Sequence, residues 1–336
     1  MSNQLILAFE SSCDDTSVAV VSTDYKVLSN VTSSQPVHEE FGGVVPELAS
    51  RAHITNIIPV TKAALSKAEI SLRQIDAVAV SVNPGLIGSL LVGVSFAKSV
   101  AWSQGKPLIA VNHMLGHVFA NKLTHPELEP PYLALVVSGG HTELVHFLSE
   151  TEFTIIGKTR DDASGEAFDK IAKLLKLGYP GGPIIDKLAK GGNPDFYRFP
   201  RGMNRKGIYD FSFSGMKTAV STYIQEQSDE YIQANLSDIL ASIQAAIVDS
   251  LVSKTVNYAK QEHIGSIIVA GGVSANSALR ERFEAYHNKY NIYFPELEYC
   301  MDNAAMIGAA AVGKLQRGEF ADTTLNAFSR KGLRYV

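Results

Sequence analysis

Two histidines four residues apart, His113 and His117 in HMLGH, are the first positions whose spacing suggests chemistry. One helical turn sets both imidazoles on one face, where they could chelate a single divalent ion. The run lacks the glutamate that serves HExxH metallopeptidases as general base, and an isolated HxxxH is more often two unrelated surface histidines. A third ligand decides between these readings. Asp302, in MDNAAMIG at the start of the last helical stretch, is a suitable oxygen donor, unless it only caps that helix. Two imidazoles and one carboxylate leave coordination positions open, which suits Fe(II) or Zn(II) acting as a Lewis acid.

A second cluster lies in ESSCDDT, where Glu10, Asp14 and Asp15 alternate with Ser11, Ser12 and Thr16. Carboxylates and hydroxyls at this density hold an ion or steer a phosphate through water, the plain alternative being a solvated turn. VSGGHT, with Gly139 and Gly140, follows an apolar strand, so its backbone N–H groups could approach an anion closely. GGVSAN at 271–276 follows a strand and precedes a helix whose N-terminus favours negative charge. Neither is GxGxxG, and no Walker lysine follows a glycine-rich loop, which argues against dinucleotide and P-loop folds. Asp169 in GEAFDK and Asp186 in GGPIIDK flank a Gly-Gly turn, where they either bind hydroxyl groups or are surface charges.

The elements that must position these residues emerge from periodicity. Apolar strands at 5–9 and 17–22 flank ESSCDDT as a hairpin, and helical spacing runs from Val45 to Ile70. A strand DAVAVSV leads to a helix in which Gly85, Gly88, Ser89, Gly93 and Ala97 form a small-residue strip, a sign of close approach by another backbone. After a strand at 107–112 and a short helix with the two histidines, YLALVVSGGHTELVHF repeats the plan of the first hairpin. That echo suggests a duplicated fold with two hairpins facing one another across a cleft. Helices are expected at 163–176, 181–190, 213–227 and 233–262, and 191–210, rich in Gly, Pro and Asn, reads as a mobile loop.

Composition bounds the rest. A chain of 336 residues, 46% hydrophobic, exceeds what one core of about 250–300 residues fills, so two lobes are expected. No apolar run of about 18 residues occurs, and acidic residues arrive too early for a signal peptide, so no membrane association and a cytoplasmic location are expected. Cys13 and Cys300 are too few for a disulfide framework. Thirty basic against thirty-four acidic residues leave no global field for a polyanion, so nucleic-acid binding requires a local basic patch or a helper protein.

Taken in order, ESSCDDT, GGVVPELASRAH, NPGLIGSLLVG, HMLGH, VSGGHT, GEAFDK, YPGGP, DFSFSGMKT, AGGVSAN and DNAAM resemble the tRNA threonylcarbamoyladenosine transferase family of bacterial TsaD type. The resemblance implies an α/β actin-like ATPase (ASKHA) fold with two lobes, each a duplicated mixed-sheet unit. One lobe would comprise residues 1–112 completed by the helix at 303–336, the other residues 113–302 with the nucleotide and metal site in the cleft. It further implies His113, His117 and Asp302 as ligands of one divalent metal, Fe(II) before Zn(II). Substrate contacts would be Val136, Val137, Ser138, Gly139, Gly140, Asp169, Gly182, Asp186 and Asn276. Archaeal and eukaryotic relatives carry a metal-binding tyrosine where this sequence has Val136, which cannot coordinate.

The activity so implied is transfer of the threonylcarbamoyl group of threonylcarbamoyl-AMP to N6 of the adenosine 3′ of the anticodon, in tRNAs reading ANN codons. Asp14 or Asp15 is the expected acceptor of the amine proton. Implied partners are tRNA, a TsaB-like paralogue on helices 46–68 and 85–104, and a TsaE-like ATPase. The clustered positive charges expected to meet tRNA are Arg198, Arg201, Arg205, Lys206, Arg330, Lys331 and Arg334. The rival readings are a metallopeptidase, an ASKHA small-molecule kinase, and a non-catalytic scaffold with a structural metal.

Overall fold

Short runs rich in valine, isoleucine and alanine build the first sheet. β1 (Leu5–Glu10), β2 (Thr16–Ser22) and β3 (Val27–Ser33) form an antiparallel meander, and β4 (Ala77–Asn83) and β5 (Leu108–Asn112) join in parallel, in the order β3-β2-β1-β4-β5. β2 and β4 are buried along their whole length, the mark of central strands covered on both faces. The computed structural model describes residues 3–41 and 43–329; the expected basic residues Arg330, Lys331 and Arg334 lie outside the described residues.

The second sheet repeats this plan strand for strand. β6 (Tyr132–Val137), β7 (Thr142–Phe147) and β8 (Phe153–Lys158) form the meander, and β9 (Ser266–Ala270) and β10 (Asn291–Tyr293) add in parallel, in the order β10-β9-β6-β7-β8. The two hairpins are among the expectations from sequence, and their third strands are not. β3 (VLSNVTS) is more than half polar, whereas β8 (FTIIGK) carries Phe and three β-branched residues, a strand signal that the sequence does offer.

Two compact units contain these sheets, residues 1–128 with 295–336, and residues 129–294. In the first, α1 (Pro46–Lys67) and α2 (Ile87–Gln104) pack on a core that includes Leu7, Phe9, Val18, Val80, Ile57 and Leu90. α3 (His113–Thr124) packs against α10 (Ala304–Arg317). A side chain at Gly116 would come within 2.9 Å of Ile307, so glycine there sets how closely the two helices meet. The histidines and Asp302 thus belong to the first unit, whereas the sequence reading began its second lobe at residue 113.

The second unit holds α4 (Ser164–Leu174), α5 (Gly181–Leu188), α6 (Ser214–Gln225), α7 (Asp229–Ala234), α8 (Leu236–Gln261) and α9 (Ser277–Glu284). α8 is long and apolar enough to cross a membrane, yet most of it is buried, with Ile243, Ile247 and Leu251 at the centre of this unit's core.

The expectations for the glycine strip and the 191–210 loop both change. A Cβ at Gly88 would lie 3.1 Å from Ser50 of α1, one at Gly85 2.5 Å from the Ser12 carbonyl, and one at Gly93 would strike Ser11. The close approach is therefore made within the unit, and the strip does not face a partner. What α1 and α2 turn outward is Ile54 and Ile58, 62% and 50% exposed, and Ile87 and Leu91, 47% and 41% exposed. The 191–210 segment is irregular but anchored. Asn193 N–H donates to Asp238 (2.7 Å), Arg201 donates to the Phe199 carbonyl (2.7 Å) and Asp249 (2.8 Å), and Lys254 donates to the Met203 carbonyl (3.0 Å).

Candidate metal centre and substrate turns

α3 starts on Asn112, whose side chain accepts from the N–H groups of Met114 and Leu115, and so brings His113 and His117 one turn apart at the end of β5. Their rings meet edge to face with centroids 4.7 Å apart. Asp302 stands just before α10. The cap of that helix is Asn303, which accepts from Met306 N–H, so the capping alternative for Asp302 is excluded and its carboxylate turns to the histidines. Asp302 Oδ1 lies 3.2 Å from His117 Nε2 and 3.5 Å from His113 Nε2. Ligands at 2.0–2.1 Å from a tetrahedral ion sit ~3.4 Å from each other, so these separations suit one metal.

Two further observations support that fit. His117 is fully buried and neither ring nitrogen is hydrogen-bonded, Asp302 standing 3.2 Å from Nε2 but out of hydrogen-bond alignment, a costly state that ligation would relieve at Nε2. His113 Nδ1 lies 3.0 Å from Glu10 Oε2 and 3.1 Å from Ser12 Oγ, which leaves Nε2 facing Asp302. A buried carboxylate behind the distal nitrogen is how proteins fix the tautomer and aim of a metal-binding histidine. Burial opposes the charged form of His113, but Glu10 and Asp302 outweigh it and lift its pKa to about 9. Burial likewise opposes the Glu10 carboxylate, and His113 prevails, holding it below its ordinary range. A pocket that retains a proton so strongly is electrostatically suited to a divalent cation.

The β1–β2 turn carries Asp14 and Asp15 beside this centre. Burial, with contributions from Asp302, Asp14 and Glu10, raises Asp15 to about 6, against a hydrogen bond from Ser34 that lowers it. Burial and Asp14 push the Cys13 thiol far up, which excludes thiolate chemistry there. In the sequence Glu10 is one residue of the polar ESSCDDT run, and no spacing there sets it behind His113. Its place as the final residue of β1, next to buried Phe9, was the available signal.

The expected substrate contacts lie in the second unit, and the structure sorts them. Val136 and Val137 are fully buried in β6, so their side chains are unavailable; Ser138 is half-buried, and Gly139 and Gly140 are exposed. A Cβ at Gly139, Gly140 or Gly182 would meet nothing within 4 Å, and none of the three has a positive φ, so the protein's own packing does not require glycine there. Asp169 accepts from Gly181 N–H (2.7 Å) at the start of α5. Asp186 accepts from Ser277 N–H (3.2 Å) and Oγ (2.7 Å) at the start of α9. Asn276 caps α9 through Leu279 N–H (2.9 Å) and donates to Gln244 (2.9 Å). Asp186 and Asn276 are thus brought to one helix N-terminus, and Asp169 and Gly182 to another. A cavity of about 860 Å³ opens from Asp186 and Ser277 along α5, α8 and α9.

Comparison with known proteins places this arrangement. The family profile TsaD, tRNA N6-adenosine threonylcarbamoyltransferase, matches residues 26–309. A relative of that name from Thermosipho africanus is 51% identical over 326 residues, 96% of this chain and 98% of the relative. One from Clostridium perfringens is 49% identical over 330 residues, 97% of each chain. Among solved structures, HypF of T. kodakarensis superposes with a TM-score of 0.62 at 14% identity, covering 94% of this chain and 48% of that one. Component A of the Acidaminococcus fermentans (R)-2-hydroxyglutaryl-CoA dehydratase gives 0.56 at 12% identity, covering 94% and 99%. These two likenesses bear on fold, and agree with the two mixed-sheet lobes of the actin-like ATPase architecture. Neither peptidase nor kinase finds support, and the chain belongs to the tRNA N6-adenosine threonylcarbamoyltransferase family, which modifies an adenosine of tRNA at N6.

Proposed function

We propose that this enzyme takes its threonylcarbamoyl group from threonylcarbamoyl-AMP, a mixed anhydride, and passes it to the adenosine 3′ of the anticodon in cytoplasmic tRNA. The adenine N6 attacks the carbamoyl carbon, the bond from that carbon to the phosphate oxygen breaks, AMP leaves, and the N6 proton passes to a carboxylate. Asp15, with Asp14 beside it, is that acceptor: burial, the largest influence on it, lifts its carboxyl in the metal-free chain to about 6, the direction a base working near neutral pH needs. In the second unit, the exposed N–H groups of the Gly139–Gly140 turn favour the adenylate's negative charge, and Asp169 and Asp186, at the starts of α5 and α9, accept from its hydroxyls.

His113, His117 and Asp302 would hold one divalent ion, Fe(II) by the two-histidine, one-carboxylate donor set and Zn(II) as the alternative. Such an ion supplies polarisation of a carbonyl or anchorage of a carboxylate. Glu10 holds the His113 imidazole in the orientation that leaves Nε2 available. The single observation that carries this reading is the convergence of three ligand atoms within 4.8 Å of one another, with His117 buried and otherwise unbonded.

The outward pairs Ile54–Ile58 and Ile87–Leu91 are the surface on which we place the TsaB-like paralogue. Exposed Arg198, Arg205 and Lys206 are the charges we assign to tRNA; a TsaE-like ATPase completes the partners. The test is a transfer assay with synthetic threonylcarbamoyl-AMP, unmodified tRNA and both helpers. Modified tRNA and AMP should appear in equal amounts, and both should vanish with chelator. Undiminished transfer by a metal-free His117→Ala variant would refute the metal assignment, and no transfer by the intact system would refute the donor.

A further inference from the structure

His53 ends the GGVVPELASRAH run, is 0% exposed, and has no part in the chemistry above. We propose that it is a positioning residue for the transfer, clamping the β1–β2 turn from α1 on both sides of the Asp14–Asp15 dipeptide. Its Nε2 lies 3.0 Å from the Cys13 carbonyl and its Nδ1 2.8 Å from Thr16 Oγ1. A carbonyl only accepts, so Nε2 carries the proton, and Nδ1 accepts from the Thr16 hydroxyl. The backbone just before Asp14 and the side chain just after Asp15 are therefore tied to one rigid ring. Burial holds the ring's pKa below its ordinary value, which keeps the neutral tautomer this clamp needs.

The other flank of the turn has its own brace. Leu86 N–H donates to the Ser12 carbonyl (2.8 Å), and Ser12 Oγ contacts His113 Nδ1 (3.1 Å). The side toward α1 depends on His53. The inference rests on the reading of Asp15 as proton acceptor, and a carboxylate displaced by about 1 Å from its productive place costs on the order of 100-fold in rate.

The experiment compares His53→Leu, His53→Gln and Asp15→Asn with the wild-type holoenzyme and its helpers, with rates taken per folded, metal-loaded molecule. His53→Leu should lower kcat by roughly 10- to 100-fold without changing KM for tRNA or metal content. His53→Gln, whose amide N–H still reaches the Cys13 carbonyl, should recover several-fold over leucine. Adding His53→Leu to Asp15→Asn should cost nothing more, because the two act through one step. Wild-type kcat in His53→Leu, or losses that multiply in the double variant, would overturn the proposal. If the leucine variant does not fold, Thr16→Val, which removes the hydroxyl that His53 Nδ1 accepts from at little change in volume, takes its place, and wild-type kcat in that variant overturns the proposal equally. Full activity of Asp15→Asn alone would instead remove the base assignment and leave His53 judged by the kcat of His53→Leu.

Discussion

Replacing Glu10 with glutamine changes one charge and almost no volume, and its effect on the metal centre can be worked out from two contacts. One carboxylate oxygen accepts from Ser12 N–H (2.5 Å) and the other faces His113 Nδ1 (3.0 Å). Ser12 N–H needs an acceptor, so the amide of Glu10→Gln keeps its oxygen there and turns its NH2 toward Nδ1. Nδ1 must then accept, the ring proton moves to Nε2, and the atom meant for the metal is blocked. Flipping the amide frees Nε2 but sets NH2 against the Ser12 N–H, at a cost of about 1–3 kcal/mol for a buried unpaired donor. Loss of such an outer partner lowers metal affinity by about 10–100-fold, and the tautomer conflict places this variant near 100-fold, or about 2.7 kcal/mol. Competition between the protein and a chromophoric chelator for Zn(II) reads this directly. Equal affinities in wild type and Glu10→Gln would refute the argument that Glu10 sets the ring.

Asp15 links the same turn to pH. Burial raises its pKa from 3.8 to about 6, so between these pH values the folded chain binds more protons than the unfolded one, and this group's stabilising share, full below 3.8, is lost as pH rises through 6. In metal-free protein Asp15→Asn should therefore raise stability above pH 6 by roughly 1–2 kcal/mol, from a full value of about 3 reduced by partial solvent exposure, with no gain near pH 4. A chemical-denaturation series across pH checks this, and a gain confined to acid pH would reverse the sign. Gly139→Ala should leave stability within about 0.5 kcal/mol but weaken binding of a threonylcarbamoyl-AMP analogue about tenfold; unchanged affinity by calorimetry would free that turn of its role. Arg201→Ala, which breaks bonds to Phe199 and Asp249, should destabilise by about 1.5–3 kcal/mol without altering the salt dependence of tRNA binding. Neutralising Arg198, Arg205 and Lys206 together should flatten that dependence by about 2 in log–log slope, and an unchanged slope would move the tRNA surface elsewhere.

Much of this was legible in the chain because two signals were strong. The β-branched runs around ESSCDDT and VSGGHT gave the two hairpins, and HxxxH gave the histidine face. What the sequence hid depends on register and distance. β3 is too polar to stand out beside β2, and the place of both β3 and β8 in their sheets is set by pairing. By its place in the sequence Asp302 could equally cap α10, and only the structure assigns the cap to Asn303 and the Asp302 carboxylate to the histidines. Gly85, just before α2, and Gly88 and Gly93 within it signal that something approaches closely but not what; it is Ser12, Ser50 and Ser11 of the same unit. Arg201 looked like its basic neighbours, and its bonds to Phe199 and Asp249 separate it from them.

The central claim is that His113, His117 and Asp302 share one ion, and X-ray absorption at the metal edge of purified enzyme tests it most directly. Two imidazole nitrogens and at least one oxygen near 2.0–2.2 Å, at one metal per chain and absent from His117→Ala, is the predicted result. An ion with sulfur ligands, or one retained unchanged when His117 is replaced, would contradict it.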